Sequence, residues 1–132
     1  MNSEEKSEKL KRVLLNWQKS MSDFDEVNVR QAMHSSTKAD VAIRMCHPFG
    51  DLENSDNIYE KFYSPLNAAL PDLERRDLIV IAGCTPEGDH WIGCMGNYMG
   101  TFLAPFLGIP ATGRLAHMRY HEFFRIEEDK IS

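Results

Sequence analysis

The chain has 132 residues, 42% apolar and 27% charged, with a formal net charge of −5. That length suits a single domain, 1–132, with a substantial core, and the acidic balance without a basic stripe excludes a nucleic-acid footprint. No apolar run approaches the ~18 residues of a membrane span, and MNSEEKSEKLKR carries no signal-peptide core after its charges, so a cytoplasmic protein without membrane partners is expected.

Residues 3–21 predict a helix. Leu10, Val13, Leu14, Trp17 and Met21 fall at i, i+3, i+4, i+7 and i+11, one apolar stripe. Asn2 or Ser3 can cap it, with Glu4 and Glu5 in the favoured first turn. Trp17 reads most simply as core, and its indole N–H needs a partner if buried. Ser22-Asp23-Phe24-Asp25 opens a short helix over 24–33. Asp40–His47 alternates, with Val41, Ile43 and Met45 on one face, and so predicts a strand; His47 continues that face. Residues 54–70 read as a third helix, buried through Ile58, Tyr59, Phe62, Tyr63, Leu66 and Leu70. Pro65 should kink or break it near Ser64.

Leu73–Gly83 is a β-branched strand. Thr85–Asp89 is a turn, and a strand over His90–Phe102 returns antiparallel. Gly93, Gly96 and Gly100 suggest bulges or bends that let the sheet curl. After the connection APFLGIPATG comes a last long strand, Gly113–Glu127. Cys46, Cys84 and Cys94, odd in number and widely spaced, favour free thiols in a reducing compartment, although Cys84 and Cys94 could face each other across the hairpin. The order ααβαβββ predicts an α+β fold: a half-barrel of curved, mainly antiparallel sheet covered by three N-terminal-side helices.

Three segments, WIGCMGNYMGTF, GIPATGR and EFFRIEEDKI, together resemble the SnoaL-like polyketide cyclases of the nuclear-transport-factor-2-like superfamily, as does the upstream LPDLERRDLIVIAG. The resemblance covers about residues 8–131. It implies a cone-shaped α+β barrel, pairing into homodimers through the outer sheet face, and ring closure by an intramolecular aldol step with an acidic residue as acid/base and no cofactor. Family members continue past the lysine-isoleucine with a strand carrying a tryptophan and an aspartate. This chain stops at Ser132, which implies an unpaired edge and a more open mouth, or a longer natural protein.

Parity in the last strand selects the candidate site. Ala116, Met118, Tyr120, Glu122, Phe124 and Ile126 share one face; Leu115, His117, Arg119, His121, Phe123 and Arg125 share the other. The first set is more apolar and should line the cone. Glu122 then sits among Met118, Tyr120 and Phe124, where apolar surroundings raise a carboxyl pKa and suit it to proton transfer. By resemblance it lies about where the cyclases carry their acidic residue, there an aspartate. The alternative is that an arginine neutralises Glu122 or that it reaches solvent. Tyr98, in phase with Ile92 and Cys94, is a candidate hydrogen-bond donor to a substrate carbonyl, and His47 a candidate second base. Trp17, Met118, Tyr120 and Phe124 complete the expected substrate-binding set.

A metal is not expected. His117 and His121 share a strand face with alpha carbons roughly 13 Å apart at ~3.3 Å per residue, too far to share one ion. Residues 93–100 are no phosphate loop, since neither Lys-Ser nor Lys-Thr follows them. Two readings remain: a cofactor-independent cyclase or isomerase acting on a small apolar carbonyl compound, or a non-catalytic ligand-binding or dimerisation module on the same fold. The stripe His117, Arg119, His121 and Phe123 is the expected dimer face.

Overall fold

Asn2 starts the first helix with a reciprocal cap. Its side chain accepts from the Glu5 N–H at 2.8 Å, and its own N–H donates to Glu5 Oε2 at 3.1 Å. In the computed structural model, which describes residues 2–132, this helix is α1, Ser3–Val13. The single helix expected over 3–21 is in fact two. The Leu14 N–H bonds the Lys11 carbonyl three residues back, a tighter step than the α-helical four, and α2, Leu15–Ser20, follows. Leu14, Trp17 and Met21 are buried, while Leu10 and Val13 pack at the rim of the core.

Within Ser22–Asp25 it is Asp25 that caps α3: its carboxylate accepts from the Asn28 N–H at 3.0 Å, so the helix runs Glu26–Ser36, later than the expected 24–33. The strand expected over 40–47 shrinks to β1, Ile43–Arg44, because its partner, β2, is only Asp51–Leu52. The alternation around it persists, with Val41 buried and Ile43 and Met45 half-buried between exposed neighbours. The third helical stretch comprises α4, Ser55–Ile58, a π-helical turn, Tyr59–Tyr63, and α5, Ser64–Ala69. Pro65 has no N–H to give, and the disturbance expected near Ser64 is absorbed by that wider turn, in which the Ser64 N–H reaches the Tyr59 carbonyl five residues back.

The main sheet has four antiparallel strands in the order β3-β4-β5-β6: Glu74–Cys84, His90–Thr101, Leu115–Glu127 and Lys130–Ile131. The β4–β5 register is unbroken from His90↔Ile126 to Thr101↔Leu115. The bulges expected at the β4 glycines are absent from that pairing. The irregularity lies instead on β3, where Leu78 is skipped between Asp77↔Gly96 and Ile79↔Met95. Gly96 serves close approach: a Cβ there would collide with the Arg76 carbonyl and the Tyr120 hydroxyl. β6 covers the end of β5, and Ile131 also bridges Thr37 in parallel. Cys84 pairs with His90 and Cys94 with Val80, so the two thiols do not face each other; all three cysteines are free.

The core fills the space between helices and sheet. Leu14, Trp17, Met21, Val29, Met33, Tyr63 and Leu66 meet the inner sheet face at Ile92, Cys94, Tyr98, Tyr120, Phe124 and Ile126. This is an α+β cone of curved antiparallel sheet with helices on its concave side. Among the described residues, no helix is long and apolar enough to cross a membrane.

Candidate functional site

The inner face of the sheet is built in cross-strand rows. Arg75–Tyr98–Met118, Asp77–Gly96–Tyr120, Val80–Cys94–Glu122 and Ala82–Ile92–Phe124 follow one another down the cone. The skipped Leu78 makes this possible. In strict alternation Asp77 would share its face with Ile79 and Ile81; the bulge puts Arg75 and Asp77 inside together with Val80 and Ala82, leaving Ile79 and Ile81 exposed.

Arg75 is the hub. Its side chain has no solvent exposure, and its backbone N–H bonds the Met21 carbonyl at 2.7 Å, tying β3 to the end of α2. Nη1 donates to Glu122 Oε1 and to Tyr98 Oη, each at 3.0 Å. Nη2 donates to Asp77 Oδ1 at 3.0 Å, and Nε spans both Asp77 oxygens at 3.3 and 3.4 Å. The guanidinium also lies 4.0 Å above the centre of the Tyr120 ring. Burial works against its charge, but Tyr98 and Glu122 more than offset this, so the Arg75 pKa is raised.

Glu122 Oε1 is fully engaged, by Arg75 and by the Tyr98 hydroxyl at 3.2 Å. Oε2 differs. It lies 2.7 Å from Arg75 Nη2, an ion-pair contact, yet it is buried and accepts no hydrogen bond among the described residues. A carboxylate oxygen has room for two donors, so Oε2 keeps unused acceptor capacity.

The phenols form a directed chain. Tyr98 has one hydroxyl hydrogen, spent on Glu122, and accepts from Arg75. In the 3.0 Å contact with Tyr63, Tyr63 must therefore donate. Tyr120 donates to Asp77 Oδ1 at 2.5 Å. All three phenols are pushed up in pKa, mainly by burial. The Glu122 charge is the next cause for Tyr63 and Tyr98, and the bond to Asp77 for Tyr120. They are hydrogen-bond donors that stay protonated. Burial likewise pushes the Cys94 thiol up to about 11.

Aromatic rings wall this cluster. Trp17 meets Tyr63 and Phe124 edge-on, with centroids 6.4 and 5.6 Å apart, and Tyr98 lies 5.0 Å from Tyr120. Trp17 is 4% exposed, and its Nε1–H finds no acceptor among the described residues.

Most residues expected at the site therefore converge. Tyr98, Tyr120, Phe124 and Trp17 are buried around Glu122, and Met118 is half-buried beside Tyr98. His47 does not join them. It lies in the turn between β1 and β2, exposed, because the strand meant to carry it inward ends at Arg44. Sequence reasoning missed Arg75, Asp77 and Tyr63. Two adjacent arginines leave parity to decide which turns inward, and the bulge at Leu78 hides the phase of Asp77. His117 and His121 are exposed on the outer face of β5, and no group of three or more His, Cys, Asp or Glu side chains among the described residues is placed to hold a metal. An open cleft of about 430 Å³ lined by Asp23, Phe24, Asp72, Glu74 and Met99 holds none of the cluster. Asp72 there is engaged by Thr101, whose backbone N–H and hydroxyl hold its pKa down.

No family model matches the chain, and no curated protein matches its sequence. Solved structures do resemble it. A candidate SnoaL-like polyketide cyclase from Jannaschia sp. CCS1 superposes with a TM-score of 0.73 at 18% identity, over 95% of this chain and 81% of its own. AclR, a candidate hydroxylase from Streptomyces galilaeus, gives 0.71 at 15%, over 94% and 71%. A nuclear-transport-factor-2-like protein from Burkholderia thailandensis gives 0.65 at 14%, over 92% and 84%. The neighbours carry different named activities, so the likeness is one of architecture: this chain has the cone-shaped α+β fold of the SnoaL-like, nuclear-transport-factor-2-like proteins.

Proposed function

We propose that the protein binds a small apolar, carbonyl-bearing molecule against the inner sheet face and acts on it as a cofactor-independent acid/base cyclase or isomerase, with Glu122 as the proton-transfer group. The observation that carries this reading is the state of the Glu122 carboxylate: one oxygen fully bonded, the other buried with unused acceptor capacity. Arg75 and Tyr98 orient the group, and preorganisation of this kind is what proton transfer needs. Tyr98 and Tyr120, held protonated, are suited to steady negative charge developing on a carbonyl oxygen. Met118, Phe124 and Trp17 supply apolar surface. The candidate cyclases among the structural neighbours are consistent with this chemistry.

Glu122→Gln tests it. Arg75 keeps Asp77 as a counter-ion, so the fold should survive. Turnover of a carbonyl substrate identified by screening should fall by 10²–10⁴-fold, the usual loss when a proton-transfer group is removed. A variant with full activity would remove Glu122 from the mechanism. A non-catalytic binding module is the second reading, favoured by the closeness with which Arg75 engages both Glu122 oxygens; on that reading Glu122→Gln changes affinity and no turnover is found.

The protein is further proposed to work as a cytoplasmic homodimer. Exposed free thiols at Cys46 and Cys84 suit a reducing compartment. The outer sheet face exposes Ile79, Ile81, Trp91 and Phe123, with Ile81 and Phe123 in one row on either side of Gly93.

A further inference from the structure

Buried polar groups without partners are uncommon, and each calls for an explanation. Two with free hydrogen-bonding capacity lie on the inner side: Trp17 Nε1–H, a donor with no acceptor among the described residues, and Glu122 Oε2, an acceptor that meets only the Arg75 charge, 2.7 Å away. They are linked through the packing. Trp17 touches Phe124, two residues from Glu122 on the same strand face, and it touches Tyr63, whose hydroxyl leads through Tyr98 to Glu122 Oε1. The other polar groups of the cluster are satisfied among themselves. A ligand entering here therefore meets one free donor, the Trp17 indole, and one carboxylate oxygen that keeps an acceptor position beside its ion pair with Arg75.

Resting on the reading of this interior as the ligand site, we infer that Trp17 is its carbonyl anchor: the indole N–H donates to the ligand's carbonyl oxygen, while Glu122 Oε2 faces the proton on the adjacent carbon. The assignment gives the indole N–H a partner, since an orphaned N–H in an apolar wall is costly unless something pairs with it. It also orders the recognition. An indole is a donor only, so it selects an acceptor oxygen and rejects an ammonium or a hydroxyl hydrogen. The ligand class is a ketone or ester carrying an acidic hydrogen beside the carbonyl, flanked by apolar or aromatic substituents that fit against Phe124 and Met118.

A matched pair of probes tests this. Acetophenone and α-methylstyrene have nearly the same shape and differ in carbonyl oxygen against methylene. In protein labelled with ¹⁵N at its tryptophan indoles, the Trp17 resonance, distinguished by Trp91→Phe, should move downfield with acetophenone and not with α-methylstyrene. Acetophenone should also bind about three- to tenfold more tightly, the usual worth of one net hydrogen bond, and Trp17→Phe should erase that preference. The spectrum of the wild-type chain keeps the test valid even if Trp17→Phe folds poorly. If both probes bind at the inner face but the Trp17 indole does not respond, or if Trp17→Phe keeps the carbonyl preference, the anchor is overturned and the interior site stands. If neither probe perturbs any inner-face residue, both fall.

Discussion

Arg75 sets one fully buried positive charge against two carboxylates whose side chains are 16% and 22% exposed. Removing it would strand Asp77 and Glu122 without a counter-ion, and breaking a buried pair this way costs about 3–5 kcal/mol. Arg75→Met should therefore lower the urea midpoint steeply. Glu122→Gln should then cost less in the Arg75→Met background than in the wild type, because the carboxylate has lost its partner; equal costs in both backgrounds would show the contact to be energetically silent. A lysine could not replace this arginine: it offers one ammonium where three guanidinium nitrogens reach two carboxylates and a phenol.

At the scale of elements, period and caps carried most of the information. The strands 73–83, 90–102 and 113–127 were legible because β-branched and aromatic residues, turn residues and alternation all agreed, and the structure places them within two residues of those limits. The inward phase of β5 was legible too, since its apolar and charged residues separate cleanly by parity. β3 was not. Leu78-Ile79-Val80-Ile81 is apolar throughout, so no alternation reports the skipped residue, and Arg75 and Asp77 could not be placed inside. The interruption at Leu14 was hidden for a related reason: the apolar stripe continues across it, and a single three-residue step changes hydrogen bonding without changing the pattern. β1 is shorter than its alternation suggests because alternation marks a half-buried face, whereas strand length depends on a partner, and β2 offers two residues.

For the whole molecule, the raised phenols and the Cys94 thiol predict alkaline sensitivity. Each binds its proton more tightly folded than unfolded. Below the unfolded values of 9.0 for the thiol and 10.0 for the phenols this stabilisation is present in full. Above them the unfolded chain releases protons that the folded chain keeps, so stability falls as pH climbs through 9–11 and beyond. Tyr63→Phe should flatten the upper part of that decline in melts taken across this range; an unchanged slope would contradict it. Assembly is read out separately. Light scattering at tens of micromolar should give a dimer, and Phe123→Glu should give a folded monomer, since a stable interface buries about 1,000 Å² or more and cannot hold a charge at an apolar contact. A monomeric wild type would leave the outer face without the proposed role.

The skipped residue on β3 also bears on how such a site changes over generations. Leu78 is 60% exposed, so replacing it with alanine should cost within about 0.5 kcal/mol. Deleting it is another matter: Ile79 would follow Asp77 directly, strict alternation would return with Val80 and Ala82 still inside, and the local bend of β3 would be lost, as thermal melts of the two variants would reveal. One codon thus separates a bent β3 from a regular one, with the same side chains turned to the interior. In this scaffold a one-residue deletion at Leu78 changes how β3 bends around the charged end of the cone, where a point substitution there changes only an exposed side chain.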